Sequence, residues 1–308
     1  PSAIWVMTYR TQLSRLWAAL ALLAMLGSVG EAQASDRLRV VASFSILADM
    51  AQEIGGDRVL VTALVGANAD AHSFEPSPQQ GAVIAKAQLV IANGLGFEPW
   101  LNRLIAATGA SPPVIFASAG IVPRLTEPGN PASSPDPHAW QNVAFARVYA
   151  KNIAEALKSA DPEGRDGYDS NLARYDAALQ ALDAKIRASL ASLPIERRKI
   201  VTTHDAFFYF GQAYGLELMA PLGLSTEAEP SAQDIATLIR AIKRDKVPAA
   251  FLETSINPRL MNQIAVETGA RLGGMLYSDA LSEEKEPAGS YIAMMEANIR
   301  ALMQALAP

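Results

Sequence analysis

Short apolar runs rich in Val, Ile, Leu and Ala alternate along the chain with segments in which apolar residues recur at three- and four-residue steps. Parallel α/β architecture produces this rhythm. In the first half the pattern predicts strands at 38–43, 59–65, 89–93 and 114–117, with helices near 46–54, 78–86 and 98–107 between them. The second half repeats it, with strands at 200–203, 217–220, 249–253 and 274–277 and helices near 206–214, 231–243 and 257–268. The two halves are similar in plan.

Between them, a helical stretch at 143–158 is ended by A-D-P-E-G. The following 167–193 carries Tyr168, Leu172, Tyr175, Leu179, Leu182, Ile186, Leu190 and Leu193 on a single stripe, which predicts one uninterrupted helix. At about 1.5 Å per residue it is roughly 40 Å long, the length of a small domain. A stripe of this length equally suits a partner helix in a coiled coil, an alternative the pattern leaves open. The expected fold class is α/β: two lobes, each a parallel sheet flanked by helices, joined by one long rigid α-helix. The lobes fall at 35–160 and 197–308, with the linking helix at 161–196.

Residues 1–34 read differently. From Met7 a basic stretch with Arg10 and Arg15 precedes an apolar run and then E-A-Q-A-S, the layout of a secretory signal peptide with residues 1–6 upstream of its start. The run is short for a membrane span, so cleavage after Ala34 is expected, an uncleaved anchor being the other reading. Half of the 308 residues are apolar and 19% are charged, which is a globular composition. Loss of the leader removes Arg10, Arg15 and Glu31, leaving 24 basic and 30 acidic side chains and a net charge of −6. Such a surface has no electrostatic affinity for nucleic acid. The chain has no cysteine, so no disulfide framework accompanies export and no thiol is present to carry a lipid. A freely soluble periplasmic protein is expected, and any metal site must use His, Asp and Glu.

Only three histidines occur, and each falls where α/β sheets gather ligands, beyond the carboxyl ends of strands. His72 lies in N-A-D-A-H-S-F-E-P-S-P after the strand ending near Val65. His204 directly follows I-V-T-T, and His138 lies in S-P-D-P-H-A-W before the helix at 143. Asp279 follows G-M-L-Y-S at a matching position. Three neutral imidazoles and a carboxylate suit tetrahedral zinc, although spacing alone leaves open whether they share one site. H-E-x-x-H, G-x-S-x-G and the phosphate loop are absent, so no catalytic motif surfaces. Glu75 and Asp205 are candidates for orienting imidazole N–H groups, with a solvated loop position and a helix cap as their respective alternatives. The run Phe207, Phe208, Tyr209, Phe210 reads as core packing.

These residues resemble the metal-binding family of ABC-transporter solute-binding proteins, which capture zinc or manganese outside the inner membrane. The likeness spans roughly 38–306 and rests on H-S-F-E-P-S-P, N-G-L-G-F-E-P-W-L, H-A-W, T-H-D-A-F, G-L-S-T-E-A-E-P-S and G-M-L-Y-S-D-A-L. It implies that His72, His138, His204 and Asp279 are the metal ligands. It also implies that the chain is not an enzyme and that Zn(II) is the transported ligand, delivered by a monomer to an ABC permease in the inner membrane. Histidine at the third ligand position is the zinc form of that pattern, glutamate the manganese form. The stretch T-E-P-G-N-P-A-S-S-P-D-P departs from many zinc members, which carry a histidine-rich loop there, and a periplasmic zinc-delivery protein is one alternative route for loading. Manganese capture, a secreted zinc hydrolase and a surface adhesin are the rival functions.

Overall fold

In the computed structural model, which describes residues 37–307 apart from 128, 131, 132 and 255, the expected leader at 1–34 lies outside the described residues. Two four-stranded sheets form. The first contains β1 (Leu38–Phe44), β2 (Val59–Val65), β3 (Leu89–Ala92) and β4 (Val114–Phe116) in the order β2-β1-β3-β4. The second contains β5 (Lys199–Val201), β6 (Glu217–Met219), β7 (Ala249–Glu253) and β8 (Arg271–Leu276) in the order β6-β5-β7-β8. Every pairing is parallel, and one strand order occurs twice.

Helices fill the connections: α1 (Ser45–Gly55), α2 (Pro78–Ile84), α3 (Leu101–Thr108), α4 (Val143–Ala160), α5 (Arg165–Ala191), α6 (Phe208–Tyr214), α7 (Ala232–Asp245), α8 (Arg259–Thr268) and α9 (Tyr291–Leu306). None is long and apolar enough to cross a membrane among the described residues. All eight expected strands occur, with two instructive differences in the elements. α3 starts three residues after the expected 98 because the Glu98 carboxylate turns back to accept the backbone N–H groups of Asn93 and Gly94 at 2.6 and 3.1 Å. β8 starts three residues before the expected 274, running through Gly273 and Gly274 across a register irregularity opposite Ala250 and Leu252. A Cβ on Gly273 would lie 2.3 Å from the Phe251 ring, so this close approach of β8 to β7 requires glycine.

α9 is an additional element, not among those predicted. Ser290 caps it by accepting the Ala293 N–H. Buried Asn298 sets its register by pairing with both backbone groups of Tyr277, at 2.8 Å each.

The linking helix is continuous over 27 residues. Tyr168, Tyr175, Leu179, Leu182, Ile186 and Leu190 are buried, and α5 packs on α4, α1 and α9. The apolar stripe is therefore covered within the chain, leaving no seam for a coiled-coil partner. One large core includes β1, β3, α1, α4, α5 and α9 and reaches into β5 and β7. A second, small cluster of Val201, Ile242, Val247, Ala250, Met261 and Ile264 lies under α7 and α8.

Candidate metal centre

All four residues predicted as ligands meet in one buried cluster, their donor atoms within 4.8 Å of one another. His72 follows β2, His138 sits between β4 and α4, His204 follows β5 and Asp279 follows β8. His72 Nε2 is 3.3 Å from His138 Nε2 and 3.6 Å from Asp279 Oδ2. His138 Nε2 is 3.6 Å from Asp279 Oδ1, and His204 Nε2 is 3.0 Å from Asp279 Oδ2. A tetrahedral ion with bonds of about 2.0–2.1 Å places its donor atoms roughly 3.3–3.4 Å apart, so these spacings bracket that geometry. His204 Nε2 and Asp279 Oδ1 are buried without a hydrogen-bond partner. Buried polar atoms are normally satisfied, and a cation at the centre of the cluster satisfies both.

The backbone around each ligand explains its aim. Asp70 Oδ1 accepts the His72 N–H at 2.8 Å, and Asp136 Oδ1 accepts the His138 N–H at 3.0 Å, two copies of a D-x-H turn. Asn93, at the end of β3, donates to the Pro137 carbonyl at 3.0 Å and fixes the second turn from below. Thr203 and His204 both donate backbone N–H groups to Glu253 Oε1, at 2.6 and 3.0 Å. The Asp279 loop is held from the other sheet's side: Trp140 Nε1 and Gln141 Nε2 donate to the Ser278 carbonyl at 2.9 and 2.8 Å.

Orientation of the rings falls to two carboxylates other than those expected. His138 Nδ1 lies 2.8 Å from Asp136 Oδ1, and His204 Nδ1 lies 2.7 Å from Glu253 Oε2, the latter an ionic contact off the straight line of a hydrogen bond. Each contact turns Nε2 toward the cluster. Glu75 is exposed, since its loop points outward after His72. Asp205 is a correction of a different kind: its carboxylate pairs with Arg124, because the backbone turns between His204 and Asp205 and sends the two side chains apart. It does not cap α6 either, whose N-cap is Phe207. The D-x-H spacing was a usable signal for Asp136, and a carboxylate ending the buried strand A-A-F-L-E was one for Glu253.

The aromatic run divides its duties. Phe207, Tyr209 and Phe210 are buried as core, while Phe208 lies under the Arg124 guanidinium, 4.0 Å from it. The wall that packs on the imidazoles is instead Phe97, with its centroid 4.9 Å from His72, and Trp140, with its centroid 5.3 Å from His138. These rings keep water out and strengthen the electrostatics inside.

Proton affinities diverge across the cluster. Burial, together with the neighbouring imidazoles, pushes His72 down to about 4 despite the pull of Asp279. Burial opposes the charge on His204 too, but Glu253 and Asp279 outweigh it and raise His204 well above the ordinary value. Burial also opposes charge on Asp279, yet His204 and the other two imidazoles hold it below the ordinary carboxylate range.

Comparison with known proteins accords with the site. A family described as ZnuA, zinc-uptake complex component A periplasmic, matches residues 40–305. The manganese ABC transporter substrate-binding lipoprotein PsaA of Streptococcus pneumoniae is 32% identical, over 92% of this chain and 94% of that protein. The iron-binding protein YfeA of Yersinia pestis is 31% identical, over 90% and 88%. Among solved structures, the periplasmic zinc-binding protein TroA of Treponema pallidum superposes with a TM-score of 0.83 at 30% identity, covering 88% of this chain and all of that one.

Proposed function

The chain belongs to the ZnuA family, the substrate-binding components of metal ABC transporters, and we propose that it captures Zn(II) between His72, His138, His204 and Asp279. It then delivers the ion to an inner-membrane permease and catalyses no reaction. The observation that carries this reading is the convergence of three imidazole nitrogens and one carboxylate, all within 4.8 Å of one another and with four contacts at 3.0–3.6 Å, two of the donor atoms being buried and otherwise unsatisfied.

The choice of zinc follows from the donor set. Imidazole favours zinc over the harder manganese ion, and zinc stands above manganese in the general affinity order of divalent metals. Manganese is the second reading. It is favoured by the Asp279 carboxylate, which turns one oxygen to His138 and the other to His72 and His204 and so offers the extra oxygen donor a larger ion takes. The protein works in the periplasm as a monomer, with 35–160 and 197–308 acting as lobes about the helix at 161–196. A periplasmic delivery protein is the proposed source of zinc, given the absence of a histidine-rich loop.

Titration of tag-free, metal-stripped protein with Zn(II) and Mn(II) against a chromophoric chelator tests the assignment. Zinc is expected to bind at one site and more tightly. Equal or tighter binding of manganese overturns the metal, and loss of neither ion's binding on substituting His138 or His204 overturns the site.

A further inference from the structure

Outside the four donors and their carboxylate partners, one half-buried cation touches both halves of the site. Arg124 lies in a narrow hairpin where Leu125 faces Pro135 and the Arg124 carbonyl accepts the Asp136 N–H at 2.8 Å. Its Nε is 3.3 Å from Asp136 Oδ2, the oxygen that His138 leaves free. Its Nη2 is in close contact with Asp205 Oδ2, next in sequence to His204. The guanidinium lies on the Phe208 face. Its own backbone N–H donates to the Tyr209 hydroxyl at 2.9 Å, and that hydroxyl donates to the Asp136 carbonyl at 3.0 Å. Asp205 in turn donates its N–H to the Gly223 carbonyl at 3.0 Å.

We infer that Arg124 is a positioning residue for metal retention: a clasp that, by holding Asp136 and Asp205 together, locks the His138 turn to the His204 turn. The inference rests on the metal-capture reading above. Asp136 is fully buried, and its Oδ2 has no hydrogen-bond partner, so Arg124 supplies the positive charge on that side. Without it Oδ2 loses that charge, and the carboxylate is held through its Oδ1 contacts to His138. A planar fork suits two carboxylates at once, as an ammonium does not, and stacking on Phe208 fixes the fork's plane. The clasp borders a cavity of about 740 Å³ lined by Phe208, Leu218 and Leu222. Solvent therefore reaches the guanidinium without passing the metal donors.

The clasp's contribution should fall on the rate of metal loss, since donors that are already aimed must move apart for the ion to leave. The test is stopped-flow release of Zn(II) from the loaded full chain into excess chelator, with circular dichroism melting of each metal-free variant alongside. Arg124→Met should accelerate release about 10- to 100-fold, the range for partners that orient metal ligands, and should also lower metal-free melting, because buried Asp136 loses its cation. Asp205→Asn should accelerate it less, and the double variant no more than Arg124→Met alone, because both act through one contact. Arg124→Lys should recover part of the loss. Release from Arg124→Met within twofold of the parent, or full recovery by lysine, overturns the clasp. If the parent itself binds no zinc, it is the capture reading that fails instead. A variant that melts early but releases zinc at the parental rate assigns Arg124 a purely structural role and also overturns the inference.

Discussion

The two sheets share a strand order but not a packing environment, and they treat their histidines in opposite ways. In both, the central strands are buried and the edges are not: β2 and β4 leave Leu60, Val114 and Phe116 exposed, and β6 and β8 leave Glu217, Arg271, Leu272 and Met275 exposed, but the second sheet also carries a small separate cluster under α7 and α8. Yet His204, beside the second sheet, is more deeply buried than His72, and Glu253 and Asp279 outweigh that burial and raise its proton affinity. His72, beside the first sheet, keeps 8% of its surface exposed and is held neutral down to about 4. Burial alone does not decide protonation. At His204 the carboxylates of Glu253, at the end of β7, and Asp279 outweigh it.

The contrast breaks most visibly if donors are removed. His204→Ala and His138→Ala should each weaken zinc binding by more than the roughly 100-fold seen for outer partners of metal ligands, and His72→Ala by less than either, because water can replace a partly exposed donor. Competitive calorimetry giving the same loss for all three would erase the distinction between the sheets.

Glu253→Gln should come next, lowering affinity about 10- to 100-fold while reducing the protons released when zinc binds. Titrations in buffers of differing ionisation enthalpy read that number directly. An unchanged number would mean that Glu253 does not hold the His204 proton.

Acidity sharpens the same point. A metal that displaces a proton from His204, whose proton affinity Glu253 and Asp279 raise, should bind more tightly as pH rises. Metal-free stability follows two opposite trends. His72 contributes stability above its ordinary 6.5 that is lost as pH falls from there toward 4. His204 contributes stability below 6.5 that is lost as pH rises through its raised value. A flat melting temperature from pH 4 to 9 would contradict both.

Smaller effects probe the packing. Backbone hydrogen exchange should be faster in the edge strand β8, where Leu276 is the one buried residue, than in the edge strand β2, where Val59, Leu64 and Val65 are buried, as strands with few apolar neighbours open at lower cost; equal protection would deny the asymmetry. Thr226→Val removes the 2.6 Å bond from Thr226 to Asp70 Oδ2 that joins the 223–231 loop to the His72 turn. It should speed zinc release about tenfold or less, in line with a partly exposed hydrogen bond to a charge.

Much of this was legible beforehand, for identifiable reasons. Hydrophobic periodicity located eight strands because each is a short apolar run set between helical patterns, and it located α5 because its stripe is unbroken. It misplaced the start of β8, where two glycines carry no hydrophobic signal, and the start of α3, where Glu98 spends its side chain on the backbone. It left α9 without an assignment. The four donors stood out as rare polar residues at strand ends. Glu75 and Asp205 were chosen for nearness along the chain, which is a poor guide where the backbone turns between neighbours.

Local residue order thus dictated the elements, the repeated plan and the donor chemistry, since each depends on side chains a few positions apart. Which carboxylate backs which ring, which imidazole holds a proton, and how Arg124 reaches Asp136 and Asp205 together were decided by folding. Those contacts join residues as far apart as 49 and 81 positions. Their strength comes from a low-dielectric interior that exists only once the sheets have packed.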